Sequence, residues 1–308
     1  MKLISTILTI LFITASIIPA MASWEIKFGK AAGEVGFAQP VNEEDFPLGP
    51  HSFRLVNGTL WVADSVNGKI INFDKEGKLL QEIKIPGLDG QFFIDDFAVQ
   101  LKEGKVESIW AAERFKTELI RFSADGKELG HIKGSGLVQL DQLAVASNGQ
   151  LYVGDYGKAL ITVFDESGKK LREIPWQMSG FALDQADKLH MINFVEGSGH
   201  QHIVLDNQGK EIAKKAIGFA EMQNPRLWQV SAQGDIFVSF IPKSGDPTKN
   251  ILVTIDEKGT ILQKLNYINP YYISRYLLID DSQAWLVKAD YLKAPASTIK
   301  IENAGAIK

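Results

Sequence analysis

Six polar residues, His51, Asp95, Asp141, Ser179, Arg226 and Ser274, each stand two positions before an apolar residue that opens a short alternating run. Imidazole and carboxylate from three successive runs, His51, Asp95 and Asp141, make a donor set for a divalent cation, Ca²⁺ or Zn²⁺. Arg226, and Arg275 beside Ser274, suit an anionic group on a ligand. A second group lies between two later runs, where Glu196 precedes His200-Gln201-His202. Residues i and i+2 of a strand share a face, so His200 and His202 could reach one ion. The plainer use of the first set is to cap the backbone at the start of each run, and both uses stay open here.

The elements that must carry these groups repeat. Leu60-Trp61-Val62-Ala63-Asp64 and Lys69-Ile70-Ile71-Asn72-Phe73-Asp74 read as two alternating strands, closed by an Asp-x-x-Gly turn at Asp74 to Gly77. Asp accepts nearby N–H groups in such a turn and Gly takes its left-handed corner. The turn glycine returns at Gly126, Gly168, Gly209, Gly259 and Gly305. In step with it runs an aromatic or His that leads the second strand: Trp61, Trp110, Tyr152, His190, Phe237 and Trp285. A further strand precedes each copy, and another follows the turn in all but the last. Four short strands in roughly 40–50 residues form the blade of a β-propeller. The expectation is all-β: six four-stranded antiparallel blades over residues 23–308. Copy six runs out of chain before its fourth strand, so a segment near Trp24–Phe28 or Gly33–Phe37 is expected to close the ring.

In an antiparallel blade the loops before strand one and after strand two share one face, the mouth of the central channel. The polar set is therefore expected to gather there. Asp64, Glu113, Asp155 and Asn193, which end strand two, are expected to bond backbone N–H groups of the following loop. Long loops are expected after strand two in copies four to six. They contain Glu196, His200, His202, Lys243, Asp246, Tyr291 and Lys293. Phe92, Phe93, Tyr271 and Tyr272 add aromatic surface near the mouth.

Leu60-Trp61-Val62-Ala63-Asp64 with Phe73-Asp74-x-x-Gly77-Lys78 resembles an NHL repeat, and Leu151-Tyr152-Val153-Gly154-Asp155 with Val163-Phe164-Asp165-x-x-Gly168 is a second such copy. The resemblance implies a six-bladed propeller whose relatives include binding modules, secreted scaffolds, lactone hydrolases and lyases. Leu48-Gly49-Pro50-His51 stands where lactonase-like relatives carry Glu-Gly-Pro, so the acidic ligand of that group is missing. The reading is a binding or scaffold module for a protein, peptide or glycan through the channel-mouth face. The alternative is a metal-dependent hydrolase or lyase with its site at the same mouth.

Composition narrows the rest. The 308 residues contain no cysteine, which excludes disulfides and thiolate chemistry. A net charge of -4 gives no general attraction to nucleic acid. No phosphate-binding glycine loop is present, so neither nucleotide nor flavin is expected. Lys2, the apolar run Leu3–Ile18 and Ala20-Met21-Ala22 read as a signal peptide over residues 1–22. That predicts a periplasmic or secreted chain with no stable membrane insertion after cleavage.

Overall fold

The computed structural model describes residues 23–39, 47–85, 93–113, 117–218, 222–243, 249–270, 273–280, 283–289, 291 and 298–306. The segment 1–22, and the candidates Phe92, Asp246, Tyr271, Tyr272 and Lys293, lie outside them. The described chain forms six four-stranded antiparallel sheets arranged as a six-bladed propeller. Five blades follow chain order from the centre outward. Their inner strands are Ser52–Val56, Ile94–Lys102, Leu140–Val145, Phe181–Leu183 and Met222–Val230. Blade six places Leu277–Asp280, Gln283–Lys288 and Thr298–Ala306 in order and takes its outer strand from Trp24–Lys27.

That N-terminal strand pairs Trp24 with Ile301 and Ile26 with Ile299, closing the ring as expected. The burial alternates along it, with Trp24 and Ile26 inside and Glu25 and Lys27 outside. One face thus joins the core while the charged face meets water. Trp24 packs edge-on against Trp285 at 4.9 Å. Its indole N–H donates to Asp74 O in blade one, which ties the seam to the first repeat turn.

The turns behave as their residues dictate. Asp74 Oδ1 accepts the N–H groups of Glu76 and Lys78, and Gly77 sits at φ +82°. Asp165, Asp206 and Asp256 repeat the pattern in their own blades. The core lies between blades, where Ile70 and Ile83 of blade one meet Phe97 and Ile109 of blade two. The marker rings Trp61, Trp110, Tyr152, Phe237 and Trp285 are all buried in these seams. Burying one such ring contributes about 2–3 kcal/mol.

Past the closing strand, the chain crosses the face where the inner strands begin. Phe28 and Phe37 pack with tilted rings at 5.0 Å and Phe37 meets Tyr291 at 5.7 Å. Tyr291 was expected on a recognition loop. It is instead buried and donates to Pro50 O, because this N-terminal segment covers it.

Candidate functional site

Each inner strand pairs on one side only, so its other edge points N–H and C=O groups into the channel. Much of the polar set is spent there. Ser274 Oγ donates to the backbone oxygens of both His51 and Asp95. Ser179 accepts the Leu227 N–H through its carbonyl, and its hydroxyl donates to Ile192 O. The Gln142 amide donates to Phe181 O. Side-chain bonds thus join neighbouring inner strands beside a few direct backbone bonds, such as that of the Phe53 N–H to Arg275 O.

At the centre, Asp96 takes most of these bonds. Its carboxylate accepts from Ser52 Oγ, Arg54 Nη2 at 2.7 Å, Arg275 Nε at 3.3 Å and the Leu143 N–H. Arg54 Nη2 also donates to Leu143 O. One carboxylate thus serves two guanidinium groups from blades one and six. Burial works against the Asp96 charge, yet Arg275 and Arg54 hold its pKa below the usual carboxylate range. Arg54 shifts in the opposite sense for its own charge. Burial and the nearby Arg275 push it down to about 10, with Asp96 only partly offsetting them. The two shifts describe one imbalance, an excess of one positive charge.

The structure does not gather His51, Asp95 and Asp141 into a ligand set. His51 lies edge-on to Phe93 at 4.4 Å and its Nδ1 accepts the Ser274 N–H. Asp95 is buried. Asp141 meets Arg226 Nη2 at 3.2 Å, and that guanidinium lies over the Trp228 ring. Among the described residues no three His, Asp or Glu side chains come close enough to hold one metal ion. The reason is the channel itself, whose inner edges compete for the same polar groups.

A cavity of about 340 Å³ occupies the other half of the channel, toward the hairpins that join strands one and two. Leu55, Val99, Val145, Gln185 and Ile279 surround it, and Arg54 and Arg275 stand deeper in its wall. Of the expected site residues, Arg275 alone reaches it.

The ends of strand two hold the loops at the opposite face. Asp64 Oδ1 accepts the Asn67 N–H of the following loop and its Oδ2 accepts the Gly36 N–H. Asp155 bonds the N–H groups of Val138 and Gln139, which belong to the segment entering blade three rather than to the following loop.

Blade four departs from expectation. No long loop follows its second strand; Leu189–Val195 and Gly199–Leu205 pair up to Val195 and Gly199, joined by a tight turn. Glu196 is exposed in that turn. His200 lies against the Phe194 ring, not beside His202. The partner of His202 is His190 on the neighbouring strand: His190 Nδ1 and His202 Nε2 are 3.0 Å apart, with ring planes 28° from parallel. His190 Nε2 contacts Asp184 Oδ2 at 3.3 Å. Burial lowers the pKa of His190, and burial with His190 and Lys215 nearby lowers that of His202 to about 4. Both imidazoles border a pocket of about 580 Å³ between blades four and five, with Lys188, Lys215, Asp256 and Glu257 also on its wall. The sequence carried a signal for it, because His190 occupies the marker position that is aromatic in five other blades.

No known family profile matches the chain, and no curated protein matches it. Solved structures do. Hydrazine synthase from Kuenenia stuttgartiensis superposes with a TM-score of 0.56 at 16% identity, over 82% of this chain and 77% of that one. A member of the DUF4221 family from Bacteroides vulgatus gives 0.55 at 11% identity, over 92% and 96%. Virginiamycin B lyase from Staphylococcus aureus gives 0.50 at 15% identity, over 91% and 98%. At such identities the likeness establishes the propeller fold alone.

Proposed function

We propose that this chain is an exported NHL-type propeller that binds a protein or peptide partner on the face where its inner strands begin. Export rests on the signal-peptide reading of residues 1–22. One observation carries the binding surface. Val138, Tyr156, Met178 and Phe194 are 57%, 49%, 36% and 54% exposed, and all stand on that face of blades three and four. Tyr156 donates its N–H to Gln139 O beside Val138, and Gln177 beside Met178 clasps the Phe194 backbone. Each pair is therefore held on a fixed frame. Glu196, Asp141 and Arg226 supply polar groups on the same face, as a rim does around an apolar centre. Apart from Leu48, which precedes the inner strand of blade one, the other large exposed apolar residues among the described ones, such as Leu80, Leu129, Leu171 and Ile212, are scattered along outer strands. The hydrolase or lyase alternative loses its ligand set at this mouth, since Asp141 is committed to Arg226.

The test is retention of exported proteins on the immobilised chain, comparing wild type with Tyr156→Ser/Phe194→Ser and with the outer-strand control Leu171→Ser. A partner lost only with the face variant is the expected result. Equal retention by all three, or none by any, would sink the reading. Retention of a glycan instead of a protein would redirect it to stacking on Tyr156 and Phe194.

A further inference from the structure

We propose that His190 and His202 form a two-imidazole site for a borderline divalent transition metal, Zn²⁺ or Cu²⁺, in the seam between blades four and five. This goes beyond the binding face and does not depend on it. The site is built from a break in the repeat. At the marker position the other blades bury Trp, Tyr or Phe, whereas blade four buries an imidazole. His202 sits on the next strand, with His190 opposite Val204 and His202 opposite Ile192, so the two lie diagonally on one face of the sheet.

The geometry fits shared coordination. Two nitrogens each ~2.0–2.1 Å from a tetrahedral ion stand roughly 3.3 Å apart, and the ring nitrogens here stand 3.0 Å apart. Asp184 supplies the outer partner that metal-bound imidazoles commonly have. Its Oδ1 is fixed by the N–H groups of Ala186 and Lys188, which aims Oδ2 at His190 Nε2. The proton of His190 then rests on Nε2, and Nδ1 presents its lone pair toward His202. In the metal-free chain His202 donates Nε2–H to that lone pair. On binding, His202 changes tautomer, its proton passing to its own Nδ1, and its Nε2 becomes the second ligand beside His190 Nδ1.

The surroundings admit an ion. Lys188, Lys214 and Lys215 face the pocket, but Asp184, Asp256 and Glu257 match them in number. Lys215 is also held by Glu257 O. With two protein ligands, the remaining positions belong to water or to a donor atom of a bound molecule, as in an open metal site. Imidazole pairs favour Cu²⁺ over Zn²⁺, so Cu²⁺ is the sharper probe.

The experiment is titration of the metal-free full chain with Cu²⁺ and Zn²⁺ by calorimetry, with electron paramagnetic resonance of the Cu²⁺ form. The expected result is one ion per chain with hyperfine structure from two nitrogens. His190→Phe restores the aromatic of the other blades and should fold normally while abolishing the signal. His202→Asn should do the same, and Asp184→Asn should weaken affinity about 10–100-fold. His131→Asn is the control, because His131 contacts Glu118 and Glu128 on the outer strands of blade two. Absence of stoichiometric binding would overturn the proposal and leave a structural His–His hydrogen bond. So would binding that survives in folded His190→Phe, or that is lost with His131→Asn instead.

Discussion

Blades three and four are neighbours with the same backbone plan and opposite uses of it. In blade three the marker Tyr152 is buried, its hydroxyl accepts from Arg172 Nη2 at 2.9 Å, and the guanidinium covers the ring at 5.7 Å. Strand two ends at Asp155, fully buried and bonded to two N–H groups of the incoming segment. Blade four puts His190 at the marker address and Asn193 at the strand end. The imidazole faces a second imidazole and a carboxylate beside a pocket, and Asn193 Oδ1 accepts no hydrogen bond from the described residues. At Tyr152 and Asp155 the polar atoms are consumed by the scaffold, whereas at His190 the imidazole faces a second imidazole at a pocket.

The contrast can be broken first at the channel centre, where scaffold use is most extreme. Asp96→Asn leaves two guanidinium groups without their counter-charge, so it should cost about 3–5 kcal/mol in denaturant unfolding. A loss under about 1 kcal/mol would mean that the channel polar groups are not structural. The same carboxylate sets an acid limit. Its folded pKa lies below the unfolded value, so its contribution is complete above about pH 4. It is lost as pH falls through the folded pKa. Stability should therefore decline with acidification below about pH 4, and Asp96→Asn should flatten that decline.

Next in size is the strand-two acid. Asp155→Ala removes two part-buried hydrogen bonds to a carboxylate and should cost about 2–4 kcal/mol, at about 1–2 kcal/mol per bond. The matching change Asn193→Ala in blade four should stay under about 1 kcal/mol. Equal losses, measured as midpoint shifts, would erase the difference between the blades. Tyr152→Phe removes one hydrogen bond to a charged partner from a buried ring and should cost about 1.5–3 kcal/mol. At the small end, Phe194→Ser on the binding face should change stability by no more than about 0.5 kcal/mol. A larger loss would move that residue from recognition to structure.

Most of the fold was legible because a propeller writes its geometry locally. The alternation around Trp61 and Tyr152, and the Asp-x-x-Gly turns, are decided within a few residues. Closure by an N-terminal strand also followed from counting strands against blades, while the choice of Trp24–Lys27 over Gly33–Phe37 came from the structure. The site was legible only in part. Asp141 and Arg226 were visible as polar rim residues, but their pairing spans two blades. His202 was visible beside His200 in sequence, although strand register gave it to His190. Tyr291 looked like a loop residue until the N-terminal segment was seen to cover it.

What the sequence determined by itself was the repeat, because burial of one strand face and the φ preference of glycine act over short range. Tertiary structure alone decided which polar groups are spent and which are free. Arg54, Asp96 and Arg275 come from three blades, and whether a carboxylate feeds a backbone edge, a guanidinium or an ion depends on what the closed ring brings within about 3 Å. Ring closure fixes those distances, and no local pattern encodes them.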